Sequence, residues 1–264
     1  MAKKNPYLEG LLANDRQQEV SKIVNQSGSI RVTQLSRLFG VTEETIRRDL
    51  EKLESEGKLK RIHGGAISLD DTSRELPLDD RTTLNIDKKH AIAKKASHFI
   101  HDGDIIAVDS STTCFELIKV IKHKHITLLT NSLLALLELR NNDNVTVFCT
   151  GGYYHNDHHA FLGHSAENAI TDHSIGKLFL SCKALDPKWG ISESHEQQAM
   201  MKREFLNVAE EIYLLVDSTK VNYKALVRTS KLDQIHFIIT DEAISADTIQ
   251  KIEEQGVEVI VASH

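Results

Sequence analysis

The feature that most constrains this chain is a rhythm in its last two-thirds. From Lys89 onward, short apolar runs at 105–108, 126–129, 145–149, 178–180, 212–216, 237–239 and 257–261 end in polar or small residues, and helical patterns follow them. Runs this short are too brief for helices. Buried strands alternating with helices predict a mostly parallel open sheet covered by helices on both faces. No internal repeat or low-complexity segment interrupts the pattern.

The first seventy residues follow a different grammar. Val20, Ile23 and Val24 share one face of a first helix, which stops near Gly28, and 29–32 reads as a short strand. Leu35, Leu38 and Phe39 mark a second helix closed by Gly40. Thr42 is placed to cap a third, whose Ile46, Leu50 and Leu53 fall at i, i+4 and i+7. Gly57 ends it, and 58–62, Gly64-Gly65 and 66–69 read as a β-hairpin. Helix, tight turn, helix and hairpin is the order of a winged helix-turn-helix. The expected organisation is therefore a winged helix-turn-helix domain over 14–69, a linker or hinge helix over 70–88 containing Pro77, and an α/β domain over 89–262. The fold class is α/β, and a chain of 264 residues is long enough for two cores.

Charge divides along the same line. Net charge is -6, but residues 1–70 carry 12 Lys/Arg against 10 Asp/Glu, while the remainder carries 20 against 28. A mildly basic head on an acidic body suits a protein that meets phosphates at one end. No apolar run approaches the ~18 residues that span a bilayer, and the polar, basic first nine residues lack the apolar core of a secretory signal. Cys114, Cys149 and Cys182 are scattered, with neither metal spacing nor a disulfide framework. The expectations are a cytoplasmic location, no membrane partner, no metal and no cofactor.

If Ile46, Leu50 and Leu53 face a core, Glu44, Thr45, Arg48 and Lys52 lie on the opposite face, with Arg47 on the flank. Arg can bond a guanine edge through two hydrogen bonds, and Thr can meet a thymine methyl or a phosphate. Lys58, Lys60, Arg61 and His63 would bring charge to the wing. The plainer alternative is a solvated helix face on which Arg47 and Arg48 merely balance Glu43, Glu44 and Glu51. Within the α/β part, several strand ends are rich in donors: Asp109-Ser110-Ser111-Thr112-Thr113, Thr130-Asn131-Ser132, Thr150-Gly151-Gly152 and Asp217-Ser218-Thr219-Lys220. Ligands of open α/β sheets bind beyond the carboxyl ends of the strands, and helix N-termini favour anions. The plainer alternative is that these residues only cap helices. The stretch Tyr153-Tyr154-His155-Asn156-Asp157-His158-His159, with His164, reads as a surface loop after two glycines. Its options are a polar loop at the ligand site, a plain exposed loop, or a metal site.

The segment Gly40-Val41-Thr42-Glu43-Glu44-Thr45-Ile46-Arg47-Arg48-Asp49-Leu50, followed by Leu53, Gly57 and Lys60-Arg61-Ile62-His63-Gly64-Gly65-Ala66, closely resembles the head of the DeoR family of bacterial regulators. The resemblance continues through Asp109 to Thr113, where Ser111 stands in place of the family's usual Gly. It extends through Thr130-Asn131-Ser132, Gly151-Gly152, Gly163, Asp217 to Lys220 and Thr240-Asp241. The segments Ser181 to Asp186 and Gly190-Ile191-Ser192, with Glu196 and Lys202, resemble the part that closes over a sugar. The resemblance implies that the helix carrying Thr45-Ile46-Arg47-Arg48-Asp49-Leu50 is the recognition helix and that the turn Arg61-Ile62-His63-Gly64-Gly65-Ala66 belongs to the wing. It also implies a sensor resembling the ribose-5-phosphate isomerase fold, and a phosphorylated sugar as effector.

The DNA-contact set is then Thr33, Thr42, Glu44, Thr45, Arg47, Arg48, Lys52, Lys60, Arg61 and His63, with Asp49 supporting the helix or orienting an Arg. The effector set is Asp109, Ser110, Ser111, Thr112, Thr113, Thr130, Asn131, Ser132, Gly151, Gly152, Gly163, Lys183, Asp186, Glu196, Asp217 and Lys220. In it, Ser110 to Thr113 take the phosphate, Lys220 is the charge partner, and Lys183, Asp186 and Asp217 read hydroxyls. The expected partners are double-stranded operator DNA, a small phosphorylated effector and further copies of the chain, as a homodimer or homotetramer. The expected function is repression of a carbohydrate-utilisation operon. The alternatives are a sugar-phosphate isomerase with a DNA-binding appendage, for which spacing singles out no pair of carboxylates, and a DNA-binding protein without a ligand.

Overall fold

The computed structural model describes residues 8, 10–27, 29–62, 64–68 and 78–263. They form two compact units, 1–84 and 85–264. In the first, α1 (Ala13–Ser27) leads into β1 (Ser29–Arg31), α2 (Val32–Phe39) and α3 (Glu43–Ser55). β2 (Lys60–Ile62), β3 (Gly65–Ile67) and α4 (Leu78–Thr83) follow. β3 lies between β1 and β2 in an antiparallel sheet.

The apolar stripe of α3 is buried as its spacing requires: Ile46, Leu50 and Leu53 pack with Val20, Val24, Leu35 and Phe39. Gly40 ends α2 in the left-handed region, φ 64°. The first strand stops one residue earlier than its sequence suggests, because Val32 is buried as the first residue of α2. The Arg31 N–H there donates to Gln34 Oε1 at 3.2 Å, which starts the helix. The second strand starts later, because the Lys58 N–H still donates to Leu53 O at 2.9 Å and closes the end of α3. Gly65 lacks a side chain for a reason of space, since a Cβ there would sit 2.4 Å from Ile30 O on β1.

The second unit runs α5 (Ile86–Ala96), β4 (Ile105–Val108), α6 (Thr112–Ile121), β5 (Ile126–Thr130), α7 (Leu133–Leu139) and β6 (Val145–Cys149). A hairpin of β7 (Tyr153–His155) and β8 (Ala160–Leu162) comes next, then α8 (His164–Thr171), β9 (Ile175–Leu180), β10 (Ala184–Asp186) and β11 (Gly190–Glu193). α9 (Glu196–Val208), β12 (Ala209–Leu215), β13 (Val227–Ser230), β14 (Phe237–Asp241), α10 (Ala246–Glu253) and β15 (Glu258–Ala262) complete it. The main sheet is parallel, in the order β15-β14-β12-β9-β4-β5-β6.

Alternate residues of its strands feed two cores. Leu178, Leu180, Ile212 and Leu214 pack on one face with Met201 and Phe205 of α9. Phe179, Tyr213 and Leu215 pack on the other with Ile92 of α5 and Leu117 of α6. The chain builds outward from β4 to β6, then returns to lay β9 on the other side of β4. The β4/β9 boundary is therefore a topological switch point, where a crevice opens beyond the strand ends.

Two features differ from the sequence expectation. The histidine-rich stretch is a β-hairpin rather than an irregular loop. A small antiparallel sheet, β10-β11-β13, stands beside the main one. Its three- and four-residue strands are too short to announce themselves by alternation.

Candidate functional site

On the head, Thr42 Oγ1 accepts the Thr45 N–H at 3.2 Å and caps α3. Glu44, Arg47, Arg48 and Lys52 are exposed on its outer face, with Thr45 half-buried, and Thr33 is exposed on α2. The arginines are held by acids one turn earlier: Arg47 to Glu43 at 3.0 Å and Arg48 to Glu44 at 3.2 Å. Asp49 is different. Buried in the core side of α3, it accepts Arg16 Nε at 2.6 Å and Gln17 Nε2 at 2.8 Å, tying the helix to α1. Arg61 fixes the wing strand to α3, its N–H donating to Glu54 Oε1 at 2.7 Å and its guanidinium lying 3.3 Å from Glu51. Lys60 is exposed beside it, and His63 lies outside the described residues.

In the body, the β4–α6 turn sits at the switch point. Ser111 caps α6 by accepting the Cys114 N–H at 3.2 Å. That is work a glycine could not do, and it accounts for a Ser at this position. Thr112 Oγ1 accepts Lys89 Nζ at 3.0 Å, both residues being buried. Thr113 is fully buried and its hydroxyl has no partner. The Thr112 and Thr113 N–H groups open the first turn, where an α-helix leaves donors unsatisfied. A buried ammonium, an unpartnered hydroxyl and free first-turn N–H groups form a cradle for an anion.

Below the cradle is a buried ion cluster. Lys202 lies 3.2 Å from Asp109, pairs with Glu193, and donates to Ser181 O at 2.7 Å. Burial pushes the Asp109 carboxyl up, but Lys202 and the N–H groups of Ser111 and Ser181, each at 3.0 Å, outweigh it and hold it below its ordinary value. Burial likewise opposes the charge on Lys202, and Glu193 with Asp109 more than restores it, so its ammonium is held more tightly than an ordinary lysine's.

The structure brings some expected residues to the cradle and gives others different work. Asp109 positions the turn, since both its oxygens are occupied within the chain. Asp217 accepts the Thr219 N–H at 3.1 Å and Asn85 Nδ2 at 3.3 Å. Asp186 closes the β10–β11 turn by accepting the N–H groups of Lys188 and Trp189 at 3.0 and 2.7 Å. Thr130 Oγ1 donates to Val108 O at 2.7 Å, and Ser132 caps α7. Gly152, at φ 105°, makes room for β8, as a Cβ would stand 2.4 Å from Leu162 O. A Cβ on Gly163 would meet the Tyr153 ring, while one on Gly151 would meet nothing. Lys220 donates to Ser181 Oγ at 3.2 Å and Cys182 O at 2.9 Å, on the β9 side of the crevice. Ser110 is buried in the turn itself; Asn131 keeps a buried carbonyl oxygen without a partner. Lys183 is half-buried, and Glu196 is exposed at the start of α9.

Lys89 escapes the sequence reading because a lysine on a helix is expected to face water. Its position was the available signal, since Ile92, Ala93 and Ala96 follow it at i+3, i+4 and i+7 on the buried stripe of α5.

Residues 16–72 match the model of the DeoR-like helix-turn-helix domain, and residues 84–242 that of the DeoR C-terminal sensor domain. The chain belongs to the DeoR family. It is 38% identical over 249 residues to the uncharacterized HTH-type transcriptional regulator YulB of Bacillus subtilis (strain 168), covering 94% of this chain and 96% of that one. It is 33% identical to the L-fucose operon activator of Haemophilus influenzae, covering 92% and 97% of the two chains. It is 30% identical to the lactose phosphotransferase system repressor of Streptococcus mutans, covering 90% and 95%. Among solved structures, a D-ribose-5-phosphate isomerase in complex with phospho-erythronic acid aligns over 51% of this chain and 53% of its own, at 18% identity and a TM-score of 0.38. A likeness of that size carries no argument about chemistry. This DeoR-family chain is a transcriptional regulator with a DNA-binding head, not an enzyme. No helix among its described residues is long and apolar enough to cross a membrane.

Proposed function

We propose that this regulator represses a carbohydrate-utilisation operon, and that a phosphorylated sugar bound at the start of α6 alters its hold on operator DNA. The observation that carries the reading is the cradle itself, where buried Lys89 meets Thr112 beside the unpartnered hydroxyl of Thr113. The phosphate ligands in this reading are Lys89 Nζ, the Ser110 and Thr113 hydroxyls and the first-turn N–H groups of α6, with Lys220, in the turn after β12, closing the site from beside Ser181 and Cys182. On the head, Thr42, Thr45, Arg47, Arg48 and Lys52 meet the major groove, and Lys60 and Arg61 the flanking backbone. The names of two relatives, which speak of an L-fucose operon and a lactose phosphotransferase system, support a sugar-linked role. Paired half-sites call for a homodimer or homotetramer.

The test is binding of purified protein to DNA from upstream of its own and neighbouring genes, at fixed salt, with and without a panel of sugar phosphates. One fragment bound specifically, and one sugar phosphate changing that affinity in the wild type but not in Lys89→Met, is the expected result. An effect that survives intact in Lys89→Met places the phosphate elsewhere and overturns the site.

A further inference from the structure

The first turn of α9 is a second place where donors converge without acceptors. Its cap position is held by His195, whose side chain makes no capping bond. The N–H groups of Glu196, Gln197 and Gln198 have no acceptor among the described residues. Two further donors stand there, both more than nine-tenths buried and unpartnered: the Ser194 hydroxyl and the Gln198 amide nitrogen. Gln198 is in the first turn, and helical side chains lean toward the helix N-terminus, so its amide is directed at that opening.

The β7–β8 hairpin supplies the rest. His155 and His158 lie with ring centroids 4.7 Å apart, His158 and His195 also 4.7 Å apart, and His155 and His195 6.2 Å apart. His155 Nδ1 is buried without a partner. The hairpin is pinned to this helix by Tyr153, whose hydroxyl donates to Gln197 Oε1. It is pinned to the β5 end by the Leu133 N–H to His159 O bond, 2.9 Å, and the Phe161 N–H to Asn131 O bond, 2.8 Å.

The chemistry selects the ligand. Backbone N–H groups and the Gln198 amide nitrogen only donate, and the hydroxyl and imidazoles can donate as well, so the complement they share is a group that only accepts, an oxyanion. A cation does not fit the helix N–H groups or the Gln198 amide nitrogen, and among the described residues no three His, Cys, Asp or Glu side chains are arranged to hold a metal ion. The subsite is linked to the α6 turn through a buried ion pair. His195 follows two residues after Glu193, which pairs with Lys202, and Lys202 reaches Asp109 beneath the α6 turn.

We propose that the first turn of α9, with His155, His158 and His195, is a second oxyanion subsite. The effector is then a small molecule with two separated acidic groups, one held by α6 and one by α9. This part of the inference rests on the α6 reading given above. Glu196, exposed at the first position of α9, is the like charge at its rim.

The test titrates the full chain calorimetrically with inorganic phosphate, then with a sugar monophosphate and the corresponding bisphosphate. Wild type is expected to take up two phosphates. Lys89→Met keeps only the α9 site, and the His195→Ala/Gln198→Leu pair keeps only the α6 site. Ser194→Ala, the milder change, weakens the second site alone, and Glu196→Gln tightens it. The bisphosphate binds at least about tenfold more tightly than the monophosphate, as linked sites do, and the double variant abolishes that advantage. A single phosphate site lost in Lys89→Met overturns the α9 subsite while leaving the proposed function intact. A single site lost only in the α9 variants supports the subsite and removes the α6 reading. No phosphate uptake, or equal affinity for mono- and bisphosphate, overturns the doubly acidic effector.

Discussion

Two regions of this chain use the same ionic chemistry in opposite surroundings. On α3, Arg47 and Arg48 pair with Glu43 and Glu44 at 3.0 and 3.2 Å, and the Arg48 side chain is 77% exposed. Beneath the α6 turn, Lys202 pairs with Asp109 and Glu193, and its side chain is 6% exposed. Exposed pairs of this spacing are worth about 0.3–0.5 kcal/mol, so they can be exchanged for DNA at small cost. A buried charge left without its partner costs about 3–5 kcal/mol. The outer face of α3 therefore keeps its charges replaceable, whereas the cluster beneath the α6 turn keeps its charges fixed.

The sharpest way to break this contrast is Lys202→Met. It removes the cation from between two buried carboxylates, and the expected loss is about 3–5 kcal/mol of stability, read by urea denaturation followed on a signal from the body. A loss no larger than that of a surface change would mean water reaches the cluster.

Acid tests the held carboxylates of the body, Asp109 in that cluster and Asp241 beside Lys88. Asp109 and Asp241 are held below the ordinary carboxylate value, burial opposing and their N–H and lysine partners prevailing. Such groups add stability above the unfolded-state value of about 4, and that stability is lost as pH falls through the folded-state values. The slope of stability against pH below about 4 should shrink in Asp241→Asn. An unchanged slope in that variant would take Asp241 out of the account.

Arg48→Ala comes next, at about 1–3 kcal/mol of specific DNA binding if Arg48 reads a base, with thermal stability nearly unaltered. Unaltered affinity and sequence preference would remove it from the base contacts. The smallest effect belongs to Glu44→Gln, expected to change stability by less than about 0.5 kcal/mol while modestly tightening DNA binding. Weaker binding in that variant would show that Glu44 itself contacts the DNA productively.

What could be read from the sequence followed from what repeats. The seven strands of the main sheet stood out because each is an apolar run bounded by polar residues, and α3 because Ile46, Leu50 and Leu53 keep helical spacing above a Thr42 cap. The β7–β8 hairpin and the β10-β11-β13 sheet did not, since most of their three- or four-residue strands mix polar and apolar side chains and are too short to show a period. Caps and ligands were harder still. Ser111, Ser132 and Thr113 look alike in sequence, yet the first two cap helices and only Thr113 keeps its hydroxyl unpartnered. Lys89 was masked by the expectation that lysines face solvent, and the Asp109–Lys202 pair by long-range packing that no local pattern encodes.

The return of the chain to lay β9 beside β4 also sets an order of synthesis. Within the head, Arg16 and Asp49 are 33 residues apart, whereas the Ser181 N–H that closes on Asp109 comes 72 residues later. Chains grow from the ribosome N-terminus first, and nearby partners meet sooner than distant ones. The head can thus be complete while β4 of the body still waits for β9. A message truncated before β9 would yield a finished head joined to a body whose central sheet cannot close.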